Sequence, residues 1–313
     1  RKLSLLAQFW TFLKYHHQAV GSGNINWDAD LLRTIPIVTK TKTYSEFSQV
    51  LENMMDRLPE QPECQSCFTQ SIDSTVAVLP DYGDLFSSKK LSPILKEKLK
   101  YILKNRNQET NFYVAMSNYD PANPQFGNEN PYPSVNFPDV GFQLLSVFRY
   151  YGIIKYFHPN RNLIDKNWET ILASTISCAI KPLTPKEYTK LMAKLIEKVK
   201  DGHASVTSTI FEDVKGKYRL PIKAIFINRK LIVSGFYDKN FNNQLKVGDE
   251  IIAINGSSVK SLVKKYSSLT IASNTPSKLY NMIGSFLFRS STKEFNLTYL
   301  NNGKKRTLKL EAI

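Results

Sequence analysis

Apolar positions in the first sixty residues recur at three- and four-residue spacing, the period of one face of a helix. Leu3, Leu6, Phe9, Trp10 and Leu13 predict an amphipathic helix over 3–17. Trp27 begins a second over 27–38, entered from the polar stretch 21–26, and a third over 44–58 places Phe47, Val50, Leu51, Met54, Met55 and Leu58 on one face. Such helices cannot cover their apolar stripes alone, so they must pack on each other or on a neighbour.

The same pattern returns over 142–199, and the residues return with it. At a constant offset of 141, segments 3–58 and 144–199 share 12 identities in 56 ungapped positions, where average composition would give about four. Lys14, Tyr15 and His17 recur as Lys155, Tyr156 and His158, and Asn26-Trp27 recurs as Asn167-Trp168. The chain therefore reads as a duplicated helical module, too long and too few for a solenoid. Function is to be sought where the copies differ. The chief difference is Lys200-Asp201-Gly202-His203-Ala204, which ends the second copy, while the first has Glu60-Gln61-Pro62 there. The repeated Tyr-x-His argues for structure, with His17 and His158 as cations at helix C-termini or as packing residues. His16 is expected to be solvated.

Between the copies the pattern breaks down. A short strand over 76–79, a helix over 91–104 and a strand over 111–116 are predicted. Residues 120–139 carry Pro121, Pro124, Pro131, Pro133 and Pro138, which remove backbone donors and favour an irregular connector wrapped over the surface. Beyond Ser208 the period shifts towards two. Strands are expected over 220–227, 231–235, 250–254, 295–300 and 306–310, with Asn301-Asn302-Gly303 as a hairpin turn. Helices are expected over 259–269 and 277–288. The fold class is multidomain α+β, divided as a first helical module (1–62), a connector region (63–140), a second module (141–210) and a closing β-rich domain (211–313).

The 313 residues are enough for two or three cores, and no apolar run approaches the roughly 20 residues of a membrane-spanning helix. With neither an initiator Met nor a signal peptide, Arg1 reads as the start of a processed or truncated chain. A net charge of +15 invites a nucleic-acid partner. The densest basic stretch, however, sets Leu91, Leu95, Leu99 and Ile102 at helical spacing, with its lysines around the rest of the helix. No zinc finger, homeodomain-like helix or aromatic RNA-binding signature accompanies it. The charge reads as solvated faces, and no nucleic acid is assigned. Cys64 and Cys67 form a lone CxxC without the second pair that zinc requires, and read as a loop pair open to oxidation outside the cytosol.

The string 245–256, Leu-Lys-Val-Gly-Asp-Glu-Ile-Ile-Ala-Ile-Asn-Gly, combines a Gly248-Asp249 turn, a buried strand and a second turn at Asn255-Gly256. It resembles the hallmark strand of PDZ domains, particularly those of bacterial proteases. The resemblance implies a β-sandwich with helices that adds an extended peptide as a strand. Tyr218, Leu220, Pro221, Ile222 and Ala224 would then border the peptide, although the usual glycine-rich carboxylate loop is missing there.

Preceded by a helical module ending in Asp201-Gly202-His203-Ala204, this unit resembles the tail-specific (C-terminal-processing, tricorn-like) serine peptidases. The strings Lys155-Tyr156-Phe157-His158-Pro159 and Asn167-Trp168 resemble the N-terminal region of their Bacteroidetes-type members. That family places a nucleophilic serine in a core after the PDZ domain, so a downstream catalytic domain is implied as partner. His203 becomes the candidate general base, since an imidazole titrating near neutrality suits proton transfer. The alternative is that Asp201 and His203 merely terminate a helix by hydrogen bonding. The resemblance implies a peptide or protein substrate and a periplasmic or cell-envelope location, and it implies no metal or organic cofactor. A non-catalytic peptide-binding scaffold is the other function that these modules allow.

Overall fold

The computed structural model describes residues 1–68, 81–107, 110–118, 123–135, 138–164, 166–238 and 244–313. The chain forms two compact units, Arg1–Leu183 and Thr184–Ile313, of mixed α and β structure with antiparallel ladders.

The first unit is built on helices α1 (Lys2–His16), α2 (Gln18–Gly21), α3 (Trp27–Lys40), α4 (Tyr44–Met55), α5 (Gly83–Ser87), α6 (Pro93–Lys104), α7 (Val140–Phe157) and α8 (Trp168–Ala179). A two-residue ladder of β1 (Ala115–Met116) and β2 (Pro124–Gln125) lies in the connector. Only this fragment and an isolated bridge between Asn111 and Val114 stand where a strand over 111–116 is predicted. The strand predicted over 76–79 lies outside the described residues.

Positions related by the offset of 141 make matching contacts. The Trp27 indole donates to the Trp10 carbonyl (3.0 Å), and the Trp168 indole donates to the Tyr151 carbonyl (3.1 Å). Asn26 and Asn167 cap α3 and α8, each accepting from a backbone amide at 3.0 Å. Thr34 and Thr175 both donate back one turn, to Asp30 and Ile171. Helices α1 and α7 meet at equivalent positions. The Tyr15 and Tyr156 rings lie 5.8 Å apart, and a Cβ at Gly152 would fall 2.8 Å from Thr11 Cγ2. Any larger residue at Gly152 would force these helices apart.

α1 is not amphipathic in place, because every residue from Ser4 to His16, polar and apolar alike, is buried. The connector covers the face that the sequence leaves polar. Lys14, with its side chain 1% exposed, pairs with Glu129 (2.6 Å) and lies over the rings of Trp10 and Tyr113. Arg149 of α7 reaches the same Glu129 (2.9 Å) and Asp28, and Tyr132 donates to Asp28 (2.9 Å). The connector is thus pinned through charges, as buried ions require. His16, expected in solvent, is instead buried. Its Nδ1 donates to the Phe12 carbonyl (2.9 Å), and its Nε2 accepts from the Tyr82 hydroxyl (3.0 Å). Burial holds the pKa of both His16 and His17 down at about 4, so His17 is neutral and is not the helix-end cation that the sequence suggests. His158 is half-buried. Cys64 and Cys67 form a disulfide.

The second unit opens with α9 (Pro185–Glu197) and α10 (Thr209–Lys215). The helix that the sequence suggests as the third of a second copy therefore belongs to this unit, and not to the one that holds α7 and α8. Its apolar face packs on α10 and the 3₁₀ turn Ser267–Leu269, whereas α4 packs on α3 and α6. This departs from the boundary placed at 210/211 by sequence, because α9 contributes Ala193 to the core of the β-rich unit.

That core lies against one sheet of β4 (Ile222–Ile227), β5 (Lys230–Phe236), β6 (Glu250–Ile254), β7 (Ser257–Ser258), β9 (Glu294–Asn301) and β10 (Lys304–Glu311). The strand order is β10-β9-β6-β5-β4, with β7 beside β6. β3 (Tyr218–Arg219) and β8 (Arg289–Ser290) pair separately, so one principal sheet with a small ladder stands where a sandwich is expected. Helices α11 (Val259–Tyr266) and α12 (Thr275–Met282) follow the predicted segments, and α12 runs on into a π-helical turn, Ile283–Leu287. Asn302 and Gly303 both take positive φ (48° and 76°), as the β9–β10 hairpin requires. Asn228 and Arg229 do the same between β4 and β5, at a turn the sequence does not announce. Asp249 is buried and structural, accepting from Lys246 N (2.8 Å) and Asn301 Nδ2 (2.7 Å).

Acidification should destabilise the first unit. Both imidazoles are neutral when folded and take up protons when unfolded, so their contribution is full above pH 6.5 and is lost as the pH falls through about 4. Thermal melts between pH 7 and 4 should show this loss. His16→Phe, which installs the residue found at Phe157, should flatten part of it.

Candidate functional site

Among the described residues β4 is an edge strand: it pairs with β5 on one side, and no strand adds to the other. Beside that edge lies a groove of about 720 Å³. Ile222, Lys223, Ala224 and Ile225 line it consecutively. Successive side chains of a strand point to opposite faces, so four in a row place the groove along the strand's edge. Its opposite wall is the end of α12 and the following turn, with Tyr280, Asn281, Ile283 and Gly284. Leu220, Phe211, Phe286 and Phe288 form an apolar floor, and Ala204, Ser205 and Val206 close one side.

The rim carries apolar groups in water, with Ile225 42% and Tyr280 73% exposed. Among the described residues its charges are of one sign: Lys215, Arg219 and Lys223 line the groove and no carboxylate does. Lys215 is committed to Glu212 (2.7 Å), and Lys223 lies over the Tyr237 ring at 4.9 Å.

Leu220, Ile222 and Ala224 therefore stand in the groove. Tyr218 and Pro221 do not. Tyr218 pairs with Ser290 and faces a separate cleft with Phe295 and Glu311, while buried Pro221 turns its carbonyl to Tyr237 N (2.9 Å) in the β4–β5 ladder. The α12 wall was not assigned to the site from sequence. A helical period marks a helix, but it does not say which strand edge the helix will face.

His203 precedes the lining residue Ala204. After α9 the chain turns at Lys200, which takes φ 60°, and Gly202 N donates to Ser273 Oγ (2.8 Å), just ahead of α12. Asp201 Oδ1 accepts from both His203 N and His203 Nδ1, each at 2.9 Å. The pair forms an Asx-type turn beyond the helix end, so it does not itself terminate α9. The His203 side chain is 99% exposed, and its Nδ1 is held by the carboxylate. This geometry fixes the Nδ1–H tautomer and presents Nε2 as a base, the arrangement that an Asp–His pair contributes to acyl transfer. The sequence pairs Asp201 with His203 only as a hydrogen-bonded helix stop, and the structure instead sets the carboxylate on the imidazole Nδ1. The i, i+2 spacing of an Asx turn was the available signal.

One carboxylate ties the groove wall to the helix that leads into this turn. Glu197, 2% exposed at the end of α9, accepts from Lys278 of α12, from Lys200 (2.5 Å) and from Lys198 (2.9 Å). Burial pushes its pKa up, but the hydrogen bonds from these three ammonium groups outweigh burial and hold it at about 2.

No family model and no curated protein sequence matches the chain. Among solved structures, a crystal structure of mature CPAF is similar, with a TM-score of 0.43 and 13% identity over 54% of this chain and 34% of that one. A crystal structure of a CPAF mutant gives a TM-score of 0.42 and 14% identity over 54% and 33%. The chain spans about a third of the length of these proteins.

Glu197→Gln should lower the thermal stability of the second unit by roughly 2 kcal/mol. It should also remove an acid-sensitive contribution that is complete above pH 4.5 and lost as the pH falls through about 2. Asp201→Asn should erase the tautomer preference of His203, read from its ¹⁵N ring shifts, without changing the melting temperature.

Proposed function

We propose that the second unit is a PDZ-like peptide-capturing module of a tail-specific type serine peptidase. The carrying observation is the open edge of β4 facing α12 across an apolar-floored groove. An extended peptide would add as a further strand, its backbone satisfied by β4 and its alternate side chains seated on Leu220, Phe286 and Phe288. The wholly basic rim favours a peptide that carries a carboxylate near Arg219 and Lys223.

His203, oriented by Asp201 beside the groove, would act as general base towards a serine hydroxyl supplied from outside residues 1–313. The base takes the hydroxyl proton as oxygen attacks the scissile carbonyl. It then returns that proton to the leaving amine as the acyl-enzyme forms, and water releases the acyl group. The matching contacts at an offset of 141 support a duplicated helical module as the N-terminal part. The Cys64–Cys67 disulfide supports an oxidising compartment such as the cell envelope. A second reading, a peptide-binding scaffold without chemistry, uses the same groove. It is favoured by the solvent exposure of His203 and separates from the first only through that residue.

The test is binding of acidic peptides with apolar C-terminal residues, followed by calorimetry. Ile225→Asp on the exposed rim and Gly284→Trp, where a Cβ meets nothing within 4 Å, should each weaken binding roughly ten-fold with melting temperature unchanged. If no such peptide binds, or if both variants bind as the parent does, the groove is not the site.

A further inference from the structure

The Cys64–Cys67 disulfide lies between α4 and α5 and joins cysteines only three positions apart. A cross-link restrains the unfolded chain less the shorter the loop it closes, so this bridge is a weak staple. Its segment is also held without it. The Gln61 side chain accepts from Gln18 N (2.9 Å) and donates to the Asn105 carbonyl (2.5 Å). The Tyr101 hydroxyl donates to the Gln61 carbonyl (3.3 Å), and Cys64 N donates to Asn105 Oδ1 (3.0 Å). The backbone from Gln61 to Cys64 is thus docked on the C-terminal end of α6 whether or not the sulfurs are joined. Both cysteines are half-buried, so a reagent in solution can reach them.

The two sulfurs stand in opposite surroundings. Cys64 Sγ faces donors, Cys67 N at 3.1 Å and the Ser66 hydroxyl at 3.5 Å. Cys67 Sγ faces an acceptor, the Arg106 carbonyl at 3.7 Å. A disulfide sulfur has no hydrogen to give a carbonyl, so that contact becomes a hydrogen bond only when Cys67 is a thiol. Donors favour a thiolate and an acceptor favours S–H. The surroundings therefore suit a reduced pair, with the negative charge on Cys64 and the proton on Cys67. A bridge needed only as a staple gains nothing from that asymmetry.

We propose that Cys64–Cys67 is a thiol–disulfide exchange site that accepts two electrons from an external dithiol. One thiolate of the dithiol bonds to Cys67 Sγ, the Cys64–Cys67 bond breaks, and its electron pair leaves on Cys64 Sγ. The Cys67 amide and the Ser66 hydroxyl hold the charge there. A better-stabilised thiolate departs faster, which assigns the leaving sulfur to Cys64. The second thiolate of the dithiol then bonds to the first sulfur and displaces Cys67, which takes up a proton and donates it to the Arg106 carbonyl. The dithiol becomes a disulfide, and of its two protons one ends on Cys67 and the other in solvent. The proposal is independent of the peptide groove and survives if that assignment fails.

The test equilibrates the whole chain with dithiothreitol or with glutathione buffers, quenches by alkylation and counts modified cysteines by mass. Cys178, free and exposed, serves as the internal reference. Cys64 and Cys67 should become modified together, in a step that glutathione disulfide reverses, while Cys178 is modified throughout. Reduction should lower the melting temperature by no more than about 5 °C. In the reduced chain at pH 7, iodoacetamide should label Cys64 roughly ten-fold faster than Cys178. Ser66→Ala should slow that labelling about two-fold and leave the rate at Cys178 unchanged. A bridge that opens only in denaturant, or whose reduction abolishes the cooperative melt, is a structural staple and overturns the proposal. So does labelling of Cys64 no faster than that of Cys178.

Discussion

A helix that carries lysine and histidine and is nevertheless enclosed must find partners for them inside the protein. α1 is that helix. Its Lys14 brings in Glu129, which also engages Arg149, and Arg149 brings in Asp28. Its His16 brings in Tyr82. The described residues of the proline-rich connector have little regular structure, yet through this network they are held against the helices by charge and aromatic contact. Leaving any one of these ions without its partner would expose the remainder to the full penalty of a buried charge.

The second unit has the opposite character. Its core is apolar, and its sheet, shifted in register at Lys223/Ala224 and at Ile251/Ala253, stops at β4 without covering the last row of backbone groups among the described residues. Proteins usually blunt such edges with charge, bulges or covering segments. Here the edge faces a helix across an apolar floor, and exposed Ile225 and Tyr280 stand at the rim. Glu197 anchors that helix through Lys278, and the chain leaving α9 carries Asp201 and His203 to the same neighbourhood. Peptide capture and proton transfer are thus proposed for adjacent parts of one compact unit.

Local order was well marked along the chain. The helices over 27–38 and 91–104, the strands over 250–254 and 295–300 and the Asn302-Gly303 turn all appear within a few residues of their expected places. These features depend on periodicity, caps and the conformational freedom of asparagine and glycine, which neighbouring residues set. Errors arose where distant segments decide. His16 looked solvated because its cover, Tyr82, lies 66 positions away, and α9 looked like part of a helical triplet because its apolar stripe does not name its partner.

The candidate site divides along the same line. Residue types and spacing sufficed to mark the strand after Gly248 and to single out His203 as a candidate, since each is a short-range pattern. The groove's second wall and the contact of Gly202 with Ser273 arise when separate segments are brought together. Burial and contact are properties of that assembly. A one-dimensional pattern shows which face of an element is apolar, and the packing of the whole domain determines what that face meets.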